Sequence, residues 1–257
     1  MSARRQQTSI YAMLILGATL CGPLPLLATT KEGRTNQTSA APANDQFAAE
    51  LESARRTRNE AQLQSLKAQL EQRVAKSSPS AEDYYALARV YSYLADAFEM
   101  RNDKKDASAA IDHAIEAAEH AVQRNDKSAD AHSLLADLYG RKISYGGMFA
   151  GPKFGPKVGA ENKKAMALDD KNPRVWASLG RQYLMAPKMF GGDVGKAIES
   201  FQKSLELDPS QDETWDWQAM AYEKQGDKAK ARDTIEHALQ LNPQNLHAKK
   251  TEAAIEK

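Results

Sequence analysis

The chain has 257 residues, 42% of them hydrophobic and 27% charged, with 35 Lys and Arg against 34 Asp and Glu. That near-neutral balance argues against nonspecific nucleic-acid binding, which needs a basic excess. The single cysteine, Cys21, falls in a segment expected to be removed, so disulfides, cysteine-based zinc sites and cysteine nucleophiles are excluded together.

The first 28 residues differ in kind from the rest. Arg4 and Arg5 precede an apolar run from Ile10 to Leu20, Pro23 and Pro25 interrupt its end, and Leu26-Leu27-Ala28 gives way to a polar stretch. A charged start, an apolar middle and a small residue at the cut are the layout of a secretory signal peptide, with cleavage expected after Ala28 and an exported, periplasmic or extracellular product. The apolar run is short for a spanning helix, which places an uncleaved membrane anchor second. Leu20 stands where a small residue is wanted before a lipidated Cys21, which places a lipid anchor second as well. Cleavage leaves 33 basic residues against 34 acidic ones, a net charge of −1. Residues 29–43, poor in hydrophobic side chains, read as a disordered tether.

From residue 44 onward the apolar residues recur at helical spacing, and nothing suggests a sheet. Phe47, Leu51, Leu63, Leu66, Leu70 and Val74 mark a helical pair within 44–80, expected as a divergent N-terminal cap. Four units in phase follow, over 81–128, 129–172, 173–211 and 212–245. The third carries Trp176, Gly180 and Tyr183, then Ala197, Phe201 and Leu205, and stops at Asp208-Pro209. The fourth repeats the order with Trp215, Ala219 and Tyr222, then Ala231, Ile235 and Ala238, and stops at Asn242-Pro243. The earlier units are weaker: His132 stands in the second where a Trp is expected, ahead of Leu135, Ala136 and Tyr139. Residues 246–257 read as a capping helix.

The small residues Gly180, Ala197, Ala219 and Ala231 stand where helix backbones must approach, and Trp176, Tyr183, Trp215 and Tyr222 are expected to fill the wedge between neighbouring hairpins. This order, with its two terminal prolines 34 residues apart, resembles the tetratricopeptide repeat (TPR). The resemblance implies an all-α solenoid of antiparallel helix hairpins, a TPR-like superhelix, with lengthened hairpins in the N-terminal repeats. Asn172-Pro173-Arg174-Val175-Trp176, then Ala186-Pro187-Lys188-Met189-Phe190-Gly191-Gly192-Asp193 and Lys196-Ala197-Ile198, are similar to a group of exported bacterial repeat proteins sharing a Pro-x-x-Phe-Gly-Gly insert. They are loosely similar to the periplasmic repeat component of TRAP-type transporters. That likeness implies a non-enzymatic periplasmic helper.

Few residues offer chemistry. His113, Glu116 and His120 could share a helix face, but no His-Glu-x-x-His spacing occurs and a solvated face is the expectation. The glycine-rich stretch from Tyr145 to Lys157 follows no strand and lacks a closing Gly-Lys-Ser/Thr, so it is not a phosphate loop. No catalytic, cofactor or metal-binding residue is assigned. Two surfaces remain as candidates for partner binding. One is the pair of Gly/Pro inserts, read as long loops lying side by side at one edge, with Phe154, Met189 and Phe190 flanked by Lys153, Lys157 and Lys188. The other is the concave groove, with Arg89, Arg141 and Arg181. The reading is a non-catalytic scaffold for a protein or extended peptide, the alternative a small-ligand accessory component of a transport system.

Overall fold

A computed structural model describes residues 43–256; the leader and nearly all of the tether lie outside them. The described residues form eleven α-helices in chain order: α1 (Ala43–Thr57), α2 (Glu60–Val74), α3 (Ala81–Met100), α4 (Lys104–Arg124), α5 (Ala129–Tyr145), α6 (Ala150–Leu168), α7 (Pro173–Met185), α8 (Val194–Leu207), α9 (Asp212–Gln225), α10 (Lys228–Leu241) and α11 (Leu246–Ile255). Two single 3₁₀ turns, Gly147–Phe149 and Lys188–Phe190, interrupt the connections. Helices α3/α4, α5/α6, α7/α8 and α9/α10 pack as successive hairpins, and α11 seals the last one. No strand occurs among the described residues. The all-α solenoid expected from the repeat pattern is the fold observed.

One local device builds every junction between hairpins. The side chains of Asn125, Asp169, Asp208 and Asn242 each accept the backbone N–H two residues on, at 3.0–3.2 Å. This turns the chain out of one helix and into the next. Ser128, Asn172 and Asn245 then cap the helices that follow, and Pro173 sits at the first helical position, where its missing N–H is harmless. The aromatic residue in the first turn of α5, α7 and α9 reaches back over this turn. Trp176 donates its indole N–H to the Asp170 carbonyl at 2.6 Å, and Trp215 to that of Pro209 at 2.9 Å. His132 brings Nε2 to 3.0 Å from the Asp126 carbonyl, so it makes the contact of the Trp it replaces.

The tryptophans are therefore half-buried at the junctions, and the wedge of the third hairpin is filled by Phe201. Phe201 is completely buried. Its ring lies so close to Gly180 that a Cβ there would sit 2.6–2.9 Å from the ring carbons. Ala197, Ala219 and Ala231 are fully buried, Tyr222 is buried, and Tyr183 is half-buried against the same cluster.

The apolar core comes in two main parts. The larger joins α1 to α6; the other joins α7 to α11. Between them runs a mostly polar seam. Ser178 Oγ lies within hydrogen-bond reach of Asp137, Asn162 and the Ser133 carbonyl at 2.7–3.2 Å, and Asn162 donates to Gln182 at 2.9 Å. A connected set of this kind satisfies its buried polar atoms and fixes one register between the halves.

One expectation is corrected here. Residues 150–157, read as a Gly/Pro loop, are the start of α6, which contains Pro152 and Pro156. The buried face of this helix, Val158, Asn162 and Ala165, has helical spacing and continues past the prolines.

Candidate binding surfaces

First helices of successive hairpins line the concave side of such a stack. Here that side is laced by ion pairs between hairpins. Arg141 on α5 reaches Asp96 and Glu99 on α3 at 2.9 and 3.0 Å and donates to the Ser92 carbonyl at 3.1 Å. Arg181 on α7 pairs with Asp137 on α5 through two nitrogens, one at 3.0 Å. Arg174 pairs with Asp130 at 3.2 Å. Lys224 on α9 caps the end of α7 by donating to the Leu184 carbonyl at 2.6 Å, and His247 on α11 pairs with the buried Asp216 of α9. Arg89 stays on its own helix, donating to the Tyr93 hydroxyl at 3.0 Å with its guanidinium over the Tyr85 ring. Burial is the main cause that pushes the Tyr85 phenol up to about 12. Of the three concave arginines singled out from sequence, Arg141 and Arg181 join repeats to one another, and Arg89 is held by tyrosines.

The N-terminal helix adds to this closure. At the end of α1, Arg55 reaches Asp212 and Glu213 in the first turn of α9 at 2.8 and 3.0 Å. Arg58 bridges Glu213 at 2.6 Å and Asp96 of α3 at 3.0 Å. Arg56 donates to the Leu241 carbonyl at the end of α10. Burial alone would raise the Glu213 carboxyl, but Arg55 and Arg58 together hold it well below the usual carboxylate range. Nothing in the sequence pairs positions 55 and 212, 157 residues apart.

The edge where first helices turn into second helices is different. The insert after α7 is a built turn: Phe190 and Gly192 donate to the Pro187 carbonyl at 2.8 and 3.0 Å, and Asp193 donates to Tyr183 at 2.9 Å before capping α8. Gly191 takes φ +89, which suits glycine, and a Cβ on Gly192 would stand 1.8 Å from the Ala186 oxygen. The Phe-Gly-Gly sequence thus has a steric cause. Its result is to turn Met189 and Phe190 outward, 82% and 69% exposed, beside Met185 at 62%. The preceding turn, which opens with Gly147 at φ +63, holds out Phe149 at 79% exposure. Phe149 carried no weight in the sequence reading.

The remaining candidates divide. Phe154, expected with Phe190 on a loop tip, lies within α6 and packs on Tyr139, ring centroids 5.7 Å apart. Lys157 lies over the Tyr139 ring at 4.7 Å and Lys153 over Phe154 at 5.0 Å. Phe154 plugs the hairpin, with Lys153 and Lys157 exposed over the rings, and Lys188 is exposed next to Met189. The helix-face histidines lie on tyrosines, His113 on Tyr91 and His120 on Tyr84 at 5.2 and 5.0 Å. No group of three His, Cys, Asp or Glu able to hold a metal ion occurs among the described residues.

Solved structures share this architecture. The thermophilic TPR protein TTC0263 of Thermus thermophilus superposes with a TM-score of 0.60 at 16% identity, covering 81% of this chain and 98% of its own. The HusA haemophore of Porphyromonas gingivalis reaches 0.59 at 13% identity, covering 74% and 96%. At such identities the likeness is one of fold, and one fold serves many functions. No curated protein sequence matches the chain. The profile of the family described as regulator of microtubule dynamics protein 1-3 matches residues 47–257, from the first half of α1 to the last residue, and the chain belongs to that family.

Proposed function

We propose that this chain is a non-catalytic scaffold that docks a partner protein on the turn edge of its second and third hairpins. One observation carries the reading: Phe149, Met189 and Phe190 are held out to solvent by ordered turns at successive positions on that edge. Large apolar side chains on a rigid support, with Lys188 beside them, are the composition of a binding hot spot. The paired concave arginines support the same choice, because their charges are already committed within the chain. The test is a chain with Phe149→Ser and Phe190→Ser, which retains helicity by circular dichroism and loses the partner captured by the parent chain. A folded double variant with undiminished capture contradicts the docking edge.

The tripartite start supports export, so the partner is a protein met outside the cytoplasm. The family description names microtubules, and an exported chain meets none; the family scaffold here serves a different client. Material from the native host begins at or near Thr29 on this reading, and an intact Met1 contradicts it.

A second reading, the ligand-binding accessory component of a transport system, is favoured by a cleft of about 430 Å³ at the C-terminal end. Its lining includes Leu184, Met220 and Ile255 with His247, Lys224 and Lys250. A small amphipathic carboxylate that raises the melting temperature, and no longer does so after Lys250→Ala, would support it.

A further inference from the structure

The contacts of α1 describe a receptor as well as a strap. Asp212 is only 1% exposed, and residues outside α1 orient it: its Oδ2 accepts the side-chain amides of Asn242 and Asn245 at 2.8 and 3.0 Å. Its Oδ1 is left facing Arg55. The N-terminus of α9, where backbone N–H groups favour negative charge, presents Asp212 and Glu213 together, since Gln211 supplies no side-chain cap. The end of α10 adds an acceptor in the Leu241 carbonyl, and α3 adds Asp96. These groups come from three separate helices and converge on one short segment.

That segment is built like a ligand. Leu51 and Ala54 are buried on the inner face of α1, and Arg55, Arg56 and Arg58 follow in its last turn and just beyond. Only Arg58 and Asn59 join it to α2, and Arg58 takes φ +49, a backbone conformation that costs free energy for a residue with a Cβ. The Arg58 guanidinium, bonded to Glu213, Asp96 and the Arg55 carbonyl, holds that conformation in place.

We propose that the concave face is a binding site for a partner's amphipathic helix that carries a leucine, an arginine in its last turn and a second arginine three residues on, just past the helix end, and that α1 fills it as an internal stand-in. Charge complementarity fixes the occupant: the groove offers Asp212 and Glu213, with Asp96 shared between Arg58 and Arg141 and the Leu241 carbonyl beside them, which suits guanidinium. An incoming helix of this kind competes with α1, so the site opens only to partners that match its pattern. This site is separate from the turn edge, and either can fail without the other.

The test uses the full chain and a labelled peptide of its residues 43–59. Arg55→Ala with Arg58→Ala frees the acceptors, and fluorescence anisotropy then shows the peptide binding at least about tenfold more tightly to this variant than to the parent chain. The peptide carrying both alanines binds neither. Adding Asp212→Asn and Glu213→Gln to the variant abolishes capture. In the parent chain, excess peptide accelerates hydrogen exchange of its own residues 43–57 and leaves α7 unchanged, a readout that needs no variant. Dimers that exchange α1 between copies support the proposal, the second copy supplying the helix. A folded double variant that ignores the peptide overturns it, as does unaltered exchange in the parent chain.

Discussion

The concave face and the turn edge of this solenoid use their side chains in opposite ways. On the concave face Arg55, Arg58, Arg141 and Arg181 are consumed by carboxylates of other helices, and the surface that looks most like a binding groove in sequence is internally satisfied. On the edge, Phe149, Met189 and Phe190 are held out, uncovered by any of the described residues, although burying them would be favourable. On the edge it is an ordered backbone, preventing apolar side chains from burying themselves, that marks the docking surface.

The widest contrast sets Phe201 against Phe190. Phe201→Ala removes a fully buried ring facing Gly180 and should cost about 3–5 kcal/mol in denaturant unfolding. Phe190→Ala, the same change on the edge, should stay within about 0.5 kcal/mol of the parent. A costly Phe190→Ala would erase the distinction. Next comes Arg181→Ala, which strands the partly buried Asp137 at the seam between the two cores and should destabilise by about 1–3 kcal/mol while leaving partner capture intact. Trp215→Ala belongs lower, at about 1–2 kcal/mol, because the ring is half-buried and its N–H bond to Pro209 spans an exposed turn.

Part of this contrast was legible in the sequence. The hairpin order, the junctions and the position of His132 follow from the repeat register, because one Asx turn with one aromatic cover recurs at each junction. The ion pairs could have been read from the same register: Asp137 to Arg181 and Asp130 to Arg174 are both 44 residues apart, one repeat step. The start of α6 was misread because glycines and prolines outweighed the Val158, Asn162, Ala165 face beyond them. Phe154 was misplaced with it. The strap was illegible, since its partners lie on α9 and α10 and come together only when the superhelix winds back toward its first helix.

The smallest effect sharpens the picture at the C-terminal end. Burial opposes the charged form of His247, but the bond and charge of Asp216 raise its pKa above the ordinary value. A raised pKa means that the pair's stabilisation is fully present below about 6.5 and is lost as pH rises through the folded-state value. The melting difference between the parent chain and His247→Gln should therefore be largest near pH 6 and shrink in mild alkali. A difference that grows with pH would contradict the pairing. Glu213, held low, has the opposite sign: its contribution persists above about pH 4.3 and fades only in stronger acid, so the strap stays shut across the neutral range.

The central claim is that the edge receives the partner while the concave face is filled from within. A photo-reactive phenylalanine analogue placed at position 190, or at position 181 in a parallel chain, tests this directly in the native compartment. Crosslinking to another protein from position 190, with position 181 yielding only products within the chain, is the expected result. Intermolecular crosslinks from position 181 and none from position 190 would contradict it.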